Sequence, residues 1–143
     1  MINFESARST LLEHARSKKN GFFPVKASFE GRMTNPLCGD YVHLKGLLQN
    51  DKISEIGFSA AACAICTASA SLLCQEVQGL TVSEALKVGY LLEENILASM
   101  EAVWPAQIQG LISFQHLRVN PARRACAILP HVVLRSTLKE HAV

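Results

Sequence analysis

Three cysteines in this sequence stand where a chain changes direction, and a carboxylate stands beside one of them. Cys38 lies in "NPLCGDYVHL" (residues 35–44), just after a proline and just before Gly39-Asp40. Cys63 lies where a strand-like pattern gives way to a helical one, and Cys126 lies in the first turns of a last helical pattern, "NPARRACAILP". Asp40 is close enough to Cys38 for both to ligate one ion. Three sulfurs and one oxygen would complete a tetrahedral zinc site or hold one edge of an iron–sulfur cluster. Thiols near helix N-termini are also lowered in pKa, because the helix dipole favours negative charge there. Scattered cysteines equally fit small core residues, and spacing alone leaves both readings open.

Other residues carry weaker chemistry. Cys66 follows Cys63 at CxxC spacing in "CAIC", which fits a redox pair or an extra ligand. It also shares an apolar stripe with Leu73 and Cys74, so both Cys66 and Cys74 are expected in the core. His43 falls on the polar side of its strand and is expected to be solvated. His116 and His131 could serve a cysteine as general base, but nothing in their spacing favours that over a surface position. Arg123 and Arg124 flank Cys126 and fit either a solvated helix face or a role in lowering its pKa or holding a persulfide anion. Pro130 cannot donate to the carbonyl of Cys126, so a kink just past that residue is expected. Trp104-Pro105 reads as packing at a helix end.

These residues need elements to position them. Phe4, Ala7, Leu11 and Ala15 recur at helical spacing and predict an amphipathic helix over residues 3–17. "KASFEGRMTN" alternates, with Ala27, Phe29 and Met33 opposite Ser28, Glu30, Arg32 and Thr34, as in a half-buried strand. "DYVHLKGLL" gives a second strand with Val42, Leu44 and Leu48 on one face, "QNDK" a turn centred on Asn50-Asp51, and "ISEIGFSA" a third strand. Short links make the three an antiparallel meander. After Ala62 the period becomes helical: Cys66, Ala70, Leu73, Cys74 and Val77 form a stripe that ends at Gly79. Thr81-x-x-Glu84 is a capping box opening the next helix, whose apolar face runs through Val82, Leu86, Ile96, Met100 and Val103 to Pro105. A short helical piece through "AQIQGLISF" follows. Asn120-Pro121 opens the last helix, which carries Cys126, Leu129 and Val133 toward the core. The predicted class is α+β, a three-stranded antiparallel sheet with helices on one face, in a single domain over residues 1–143.

Composition bounds the function. The chain has 14 basic and 12 acidic residues, a net charge of +2, which gives no field that would argue for nucleic acid. No apolar run approaches the roughly 18 residues of a membrane span. "MINFESARST" lacks the apolar stretch of a signal peptide. A cytoplasmic, reducing compartment is therefore expected. There the five cysteines, an odd number, read better as ligands, nucleophiles or core residues than as disulfides.

Taken together, "NPLCGD", "CAICTASASLL" with "GLTVSEAL" after it, and "NPARRACAILP" resemble the iron–sulfur cluster scaffold family of the IscU/NifU N-terminal type, across residues 5–138. The resemblance implies a SufE/NifU-like fold and a shared ligand set at Cys38, Asp40, Cys63 and Cys126. The occupant it implies is zinc or a transient 2Fe–2S cluster. A cysteine desulfurase and downstream iron–sulfur acceptor proteins are the implied partners. Basic flanks at a helix start make Cys126 the expected sulfur-accepting thiol. Two departures are informative. The scaffold branch has His directly before the third cysteine, where this sequence has Ala125, and the stretch from Cys63 to Cys126 is long. Both features resemble the SufU-type branch, which is associated with zinc and with accepting sulfur from a cysteine desulfurase. Ala61-Ala62 also stands where glycine usually precedes the second cysteine. Three functions follow: a cluster scaffold, a zinc-dependent sulfur acceptor that never holds a cluster, or a structural-zinc domain without sulfur chemistry. An Asp ligand argues against the last, because closed structural sites commonly use Cys and His throughout.

Overall fold

Alternating apolar and polar side chains build three strands, β1 (Phe29–Thr34), β2 (Tyr41–Gln49) and β3 (Lys52–Ala61). The computed structural model describes residue 13 and residues 22–36, 38–97 and 121–139. The predicted N-terminal helix, the stretch through Met100, Trp104-Pro105 and "AQIQGLISF", His116 and the Asn120 cap all lie outside these residues. The strands form an antiparallel meander in the order β1-β2-β3. Phe29, Val42, Leu44 and Phe58 face the core, while Glu30, Arg32, Thr34 and Ser59 stay exposed. Ala27 lies before β1 and is exposed, so the first strand is shorter than its alternation predicts.

Two local features set the register. Asn50 (φ 53°) and Asp51 (φ 64°) both take left-handed backbone in the β2–β3 turn. A two-residue hairpin whose twist matches the sheet needs that conformation, and these two residue types tolerate it. Further along, Leu47 faces Glu55 but Leu48 faces Ile53, so Ser54 is an extra residue on β3. Its hydroxyl donates to the Leu47 carbonyl at 3.1 Å. The bulge shifts the phase of alternation, and Ile53 and Ile56 both turn inward although they are three apart.

The helices are α1 (Ala64–Val77), α2 (Val82–Leu97) and α3 (Pro121–Leu138). α1 and α3 pack together on one face of the sheet, as predicted, and α2 packs against these two helices. α3 lies against β1 and β2 and touches both other helices, and α1 covers β3. Cys66, Ala70, Leu73, Cys74 and Val77 of α1 are buried, and so are Cys126, Leu129 and Val133 of α3. Gly79 (φ 90°) supplies the left-handed residue beyond the end of α1. α3 runs on through Pro130, which leaves the Cys126 carbonyl without a helical N–H donor. Among the described residues, no helix is long and apolar enough to cross a membrane.

The α2 capping box is complete. Thr81 Oγ1 accepts from the Glu84 N–H at 3.1 Å, and Glu84 Oε1 accepts from the Thr81 N–H at 3.2 Å. Thr81→Ala should therefore cost about 1 kcal/mol, and Thr81→Ser should recover most of it. A urea titration checks this: the midpoint should fall with the slope unchanged.

Candidate metal centre

The site is assembled from chain ends. Between β1 and β2 the chain closes a tight loop, in which the Asn35 N–H donates to the Asp40 carbonyl and the Gly39 N–H to the Asn35 carbonyl, both at 2.7 Å. Gly39 has φ 76°, and a Cβ there would meet nothing within 4 Å. Glycine is needed for backbone conformation, not for close approach. The loop leaves Cys38 exposed and turns Asp40 inward to 7% exposure. At the far end of β3, Cys63 becomes the N-cap of α1, and its Sγ accepts from the Cys66 N–H at 3.4 Å. Ala60 and Ala61 pair with Val42 and Tyr41, which brings Cys63 beside the start of β2. The Cys63 N–H then donates to Asp40 Oδ1 at 3.1 Å.

Cys126 reaches the same place from α3 and is 6% exposed. Fully buried Ser69 of α1 donates its hydroxyl to the Ala127 carbonyl at 2.5 Å, tying the two helices together one residue past Cys126. Sequence reasoning missed Ser69. It stands among alanines and serines of α1, and only the position of α3 singles it out.

One ligand atom each from Cys38, Asp40 and Cys126 lies within 4.8 Å of the other two. The Cys63 side chain borders this group and interacts with both Asp40 and Cys126. All five cysteines are free thiols. Burial opposes ionisation of Asp40 most strongly, but the Cys63 side chain and N–H, with the Cys126 and Cys38 side chains, outweigh it. Its carboxyl sits below the ordinary carboxylate value. Burial, then the Cys63 thiol and the Asp40 carboxylate, push the Cys126 thiol up to about 12. Without a bound cation, position on a helix does not lower this thiol, contrary to expectation; Cys126 is in the second turn, and desolvation dominates there. Burial likewise pushes up Cys66 and Cys74.

Asp40 Oδ2 is buried and has no hydrogen-bond partner among the described residues. A cation would give it one. Among the described residues the neighbouring donors are thiols without an imidazole, a set that suits zinc or iron. The residues present therefore fit the metal that the sequence motifs imply.

The remaining candidates lie elsewhere. His43 is half-buried rather than solvated: its Nε2 is 2.9 Å from Glu30 Oε2, and its ring meets that of Phe23 edge-on at 4.9 Å. His131 is 2% exposed, not at the surface, and faces Gly89 of α2. Arg124 is half-buried with an unpartnered Nε, and Ala125 is exposed. The Arg123 side chain lies outside the described residues.

The chain is similar to known proteins in sequence and in fold. The family model "NifU-like N terminal domain" matches residues 8–111, which include Cys38, Asp40 and Cys63 and stop before Cys126. The zinc-dependent sulfurtransferase SufU of Bacillus subtilis is 26% identical over 122 residues, 85% of this chain and 82% of that protein. The iron–sulfur cluster assembly scaffold protein IscU of Streptococcus pyogenes is 29% identical over 119 residues, 78% of this chain and 69% of that one. FiSufU of Fervidobacterium islandicum AW-1, assigned as a cluster assembly scaffold of the SUF system, superposes with a TM-score of 0.84 at 27% identity, covering 90% of this chain and 93% of its own. The N-terminal part of a NifU-like protein from Brucella abortus, 17% identical, shares the fold with the same TM-score.

Neither ring nitrogen of His131 has a hydrogen-bond partner among the described residues. Burial first, and the Arg135 charge second, push this imidazole down to about 3. In the unfolded chain it titrates near 6.5. Below about pH 6.5 the unfolded chain binds a proton that the folded chain does not, so stability is lost as pH falls from there toward 3. The slope is up to about 1.4 kcal/mol per pH unit. His131→Phe should remove this component. Urea unfolding of both proteins at several pH values checks it: the stability difference should change between neutral and acidic pH, and a constant difference would show that His131 does not titrate this way.

Proposed function

We propose, since this chain belongs to the NifU-like N terminal domain family, that it acts in iron–sulfur cluster assembly as a zinc-binding sulfur acceptor. Cys38, Asp40, Cys63 and Cys126 would hold the ion. The observation that carries the proposal is the group of Cys38 and Cys126 sulfurs and an Asp40 carboxylate oxygen within 4.8 Å of one another, with Asp40 Oδ2 buried and unpartnered among the described residues. Bound zinc would supply positive charge that favours thiolate over thiol in a pocket where burial does the opposite.

The chain's own residues then divide the work. Cys126, buried in the second turn of α3, is an anchor on the core side. Cys38 is the exposed thiol of the group, so burial moves the sulfur-accepting role from Cys126, where sequence put it, to Cys38. Its thiolate attacks the outer sulfur of a persulfide on a cysteine desulfurase. The desulfurase sulfur–sulfur bond breaks, the desulfurase cysteine leaves as thiolate, and Cys38 carries the persulfide. Asp40 would be the hard oxygen ligand of the set, more easily displaced than a thiolate.

A second reading uses the same residues as a scaffold for a transient 2Fe–2S cluster, passed to downstream acceptor proteins. Ala125 favours the sulfur acceptor, because that exposed position offers no fifth donor beside Cys126. A closed structural zinc is disfavoured by the exposure of Cys38. The proposed setting is the cytoplasm.

Asp40→Ala separates the readings. In a zinc-bearing acceptor it should weaken zinc by at least about 10- to 100-fold, the range that partners outside the first shell alone cost. In a scaffold it should prolong the life of a bound cluster. Chelator competition reads the first, and absorption decay of a reconstituted cluster reads the second. Unaltered zinc affinity would remove Asp40 from the site. With a cysteine desulfurase and cysteine, Cys38→Ser should abolish persulfide on this chain; persulfide mapped to Cys126 in that variant would return the acceptor role to Cys126.

A further inference from the structure

The site as proposed leaves one nearby thiol without a task. We infer that Cys63 and Cys66 form a redox pair, in which Cys66 resolves a peroxide-oxidised Cys63 into a Cys63–Cys66 disulfide and so withdraws Cys63 from the metal centre reversibly. The disulfide stands on local geometry; only its effect on metal rests on the proposed function.

Cys63 is the N-cap of α1, and Cys66 is the third residue of that helix. Side chains at these two positions face each other across the first helical turn, which is what lets a capping box exchange hydrogen bonds in both directions. Half of that exchange is present, because the Cys66 N–H donates to Cys63 Sγ at 3.4 Å. The bond holds the Cys63 sulfur over the turn that carries the Cys66 thiol. Cys63 is half-buried, within reach of a small oxidant, whereas Cys66 is fully buried. Asp40, Cys38, Cys63 and Cys126 all lie close enough to oppose charge on Cys66, so its thiol is near the centre.

Cys66 differs from the other sulfurs nearby in being outside the proposed ligand set. It stays available while the metal engages Cys38 and Cys126. It also shares a helical turn with Cys63, whereas those two arrive on separate elements.

The chemistry balances with hydrogen peroxide as the oxidant. The Cys63 thiol attacks one peroxide oxygen, the oxygen–oxygen bond breaks, and Cys63 becomes a sulfenic acid with release of water. The Cys66 thiol attacks the sulfenic sulfur, and its proton leaves with the hydroxyl group as a second water. Two thiols supply the two electrons that reduce one peroxide to two waters. Without Cys66 the sulfenic acid is open to further oxidation to sulfinic acid, which thiol reductants do not reverse.

The test uses the full zinc-loaded chain treated with a molar excess of hydrogen peroxide, then blocked with a thiol alkylating agent. Peptide mass spectrometry with fragmentation maps the cysteines, and a chromogenic chelator reads released zinc. The wild type should lose two hydrogens between Cys63 and Cys66, release its zinc, and regain both thiols and zinc binding with dithiothreitol. Cys66→Ala should form no such bond, carry sulfinic acid on Cys63, and fail to regain zinc binding with dithiothreitol. Cys74→Ala, altered at the other buried thiol, should behave as wild type. A Cys63–Cys126 or Cys38–Cys63 bond in the wild type would overturn the inference, and so would full recovery in Cys66→Ala. Mapping of the wild type needs no variant to fold. A disulfide at Cys63–Cys66 in a chain that never bound zinc would uphold the pair while sinking the metal reading.

Discussion

The 3.1 Å hydrogen bond from the Cys63 N–H to Asp40 Oδ1 joins the two parts of the fold that have to meet for this site to exist. A carboxylate taken out of water without compensation costs several kcal/mol. Asp40 is nearly buried, and one of its oxygens is satisfied by the first turn of α1. That contact requires β3 to end where β2 begins. It requires the loop before β2 to turn back sharply, which Gly39 makes possible, and α1 to start at Cys63 and nowhere later. The position of α3 is then fixed from the other side by Ser69 on the Ala127 carbonyl. Each sulfur donor arrives on a different element, and the carboxylate is the point they share.

Charge is used sparingly in this arrangement. Burial raises Cys126 and Cys66, so these two thiols are neutral in the free protein, and the Asp40 carboxylate carries charge beside them. A pocket with several buried thiolates and no cation would repel itself apart. Two neutral thiols beside one carboxylate make a free state that stays folded and is still built for a cation, since one carboxylate oxygen has no partner among the described residues. The exposed Cys38 at the rim joins this buried set to the outside.

Much of this was legible in the sequence because its signals are local. Alternation fixed the strands, the Thr81–Glu84 pair marked its helix, and the Asn50-Asp51 turn named itself through residues that accept left-handed backbone. Cys38, Asp40, Cys63 and Cys126 were found by motif and by their places at element ends. The misses all depend on contacts across elements. The Ser54 bulge rests on an extra residue that alternation alone cannot see until Ile53 and Ile56 are known to share a face. His43 looked solvated because its strand position faces away from the core, yet Phe23 and Glu30 cover it. His131 follows a proline in a polar-looking helix, and its burial comes from the lack of a side chain at Gly89 on the facing helix. The height of the Cys126 pKa likewise follows from how deep the second turn of α3 lies, which position on a helix does not reveal.

The central claim is that three thiols and one carboxylate of this chain hold a single zinc ion. X-ray absorption at the zinc edge on the zinc-loaded full chain tests it most directly. The account predicts a four-coordinate ion with three sulfur scatterers at about 2.3 Å and one oxygen at about 2.0–2.2 Å, without the outer-shell scattering of an imidazole ring. A shell with histidine scattering, or one made mainly of oxygen, would contradict it.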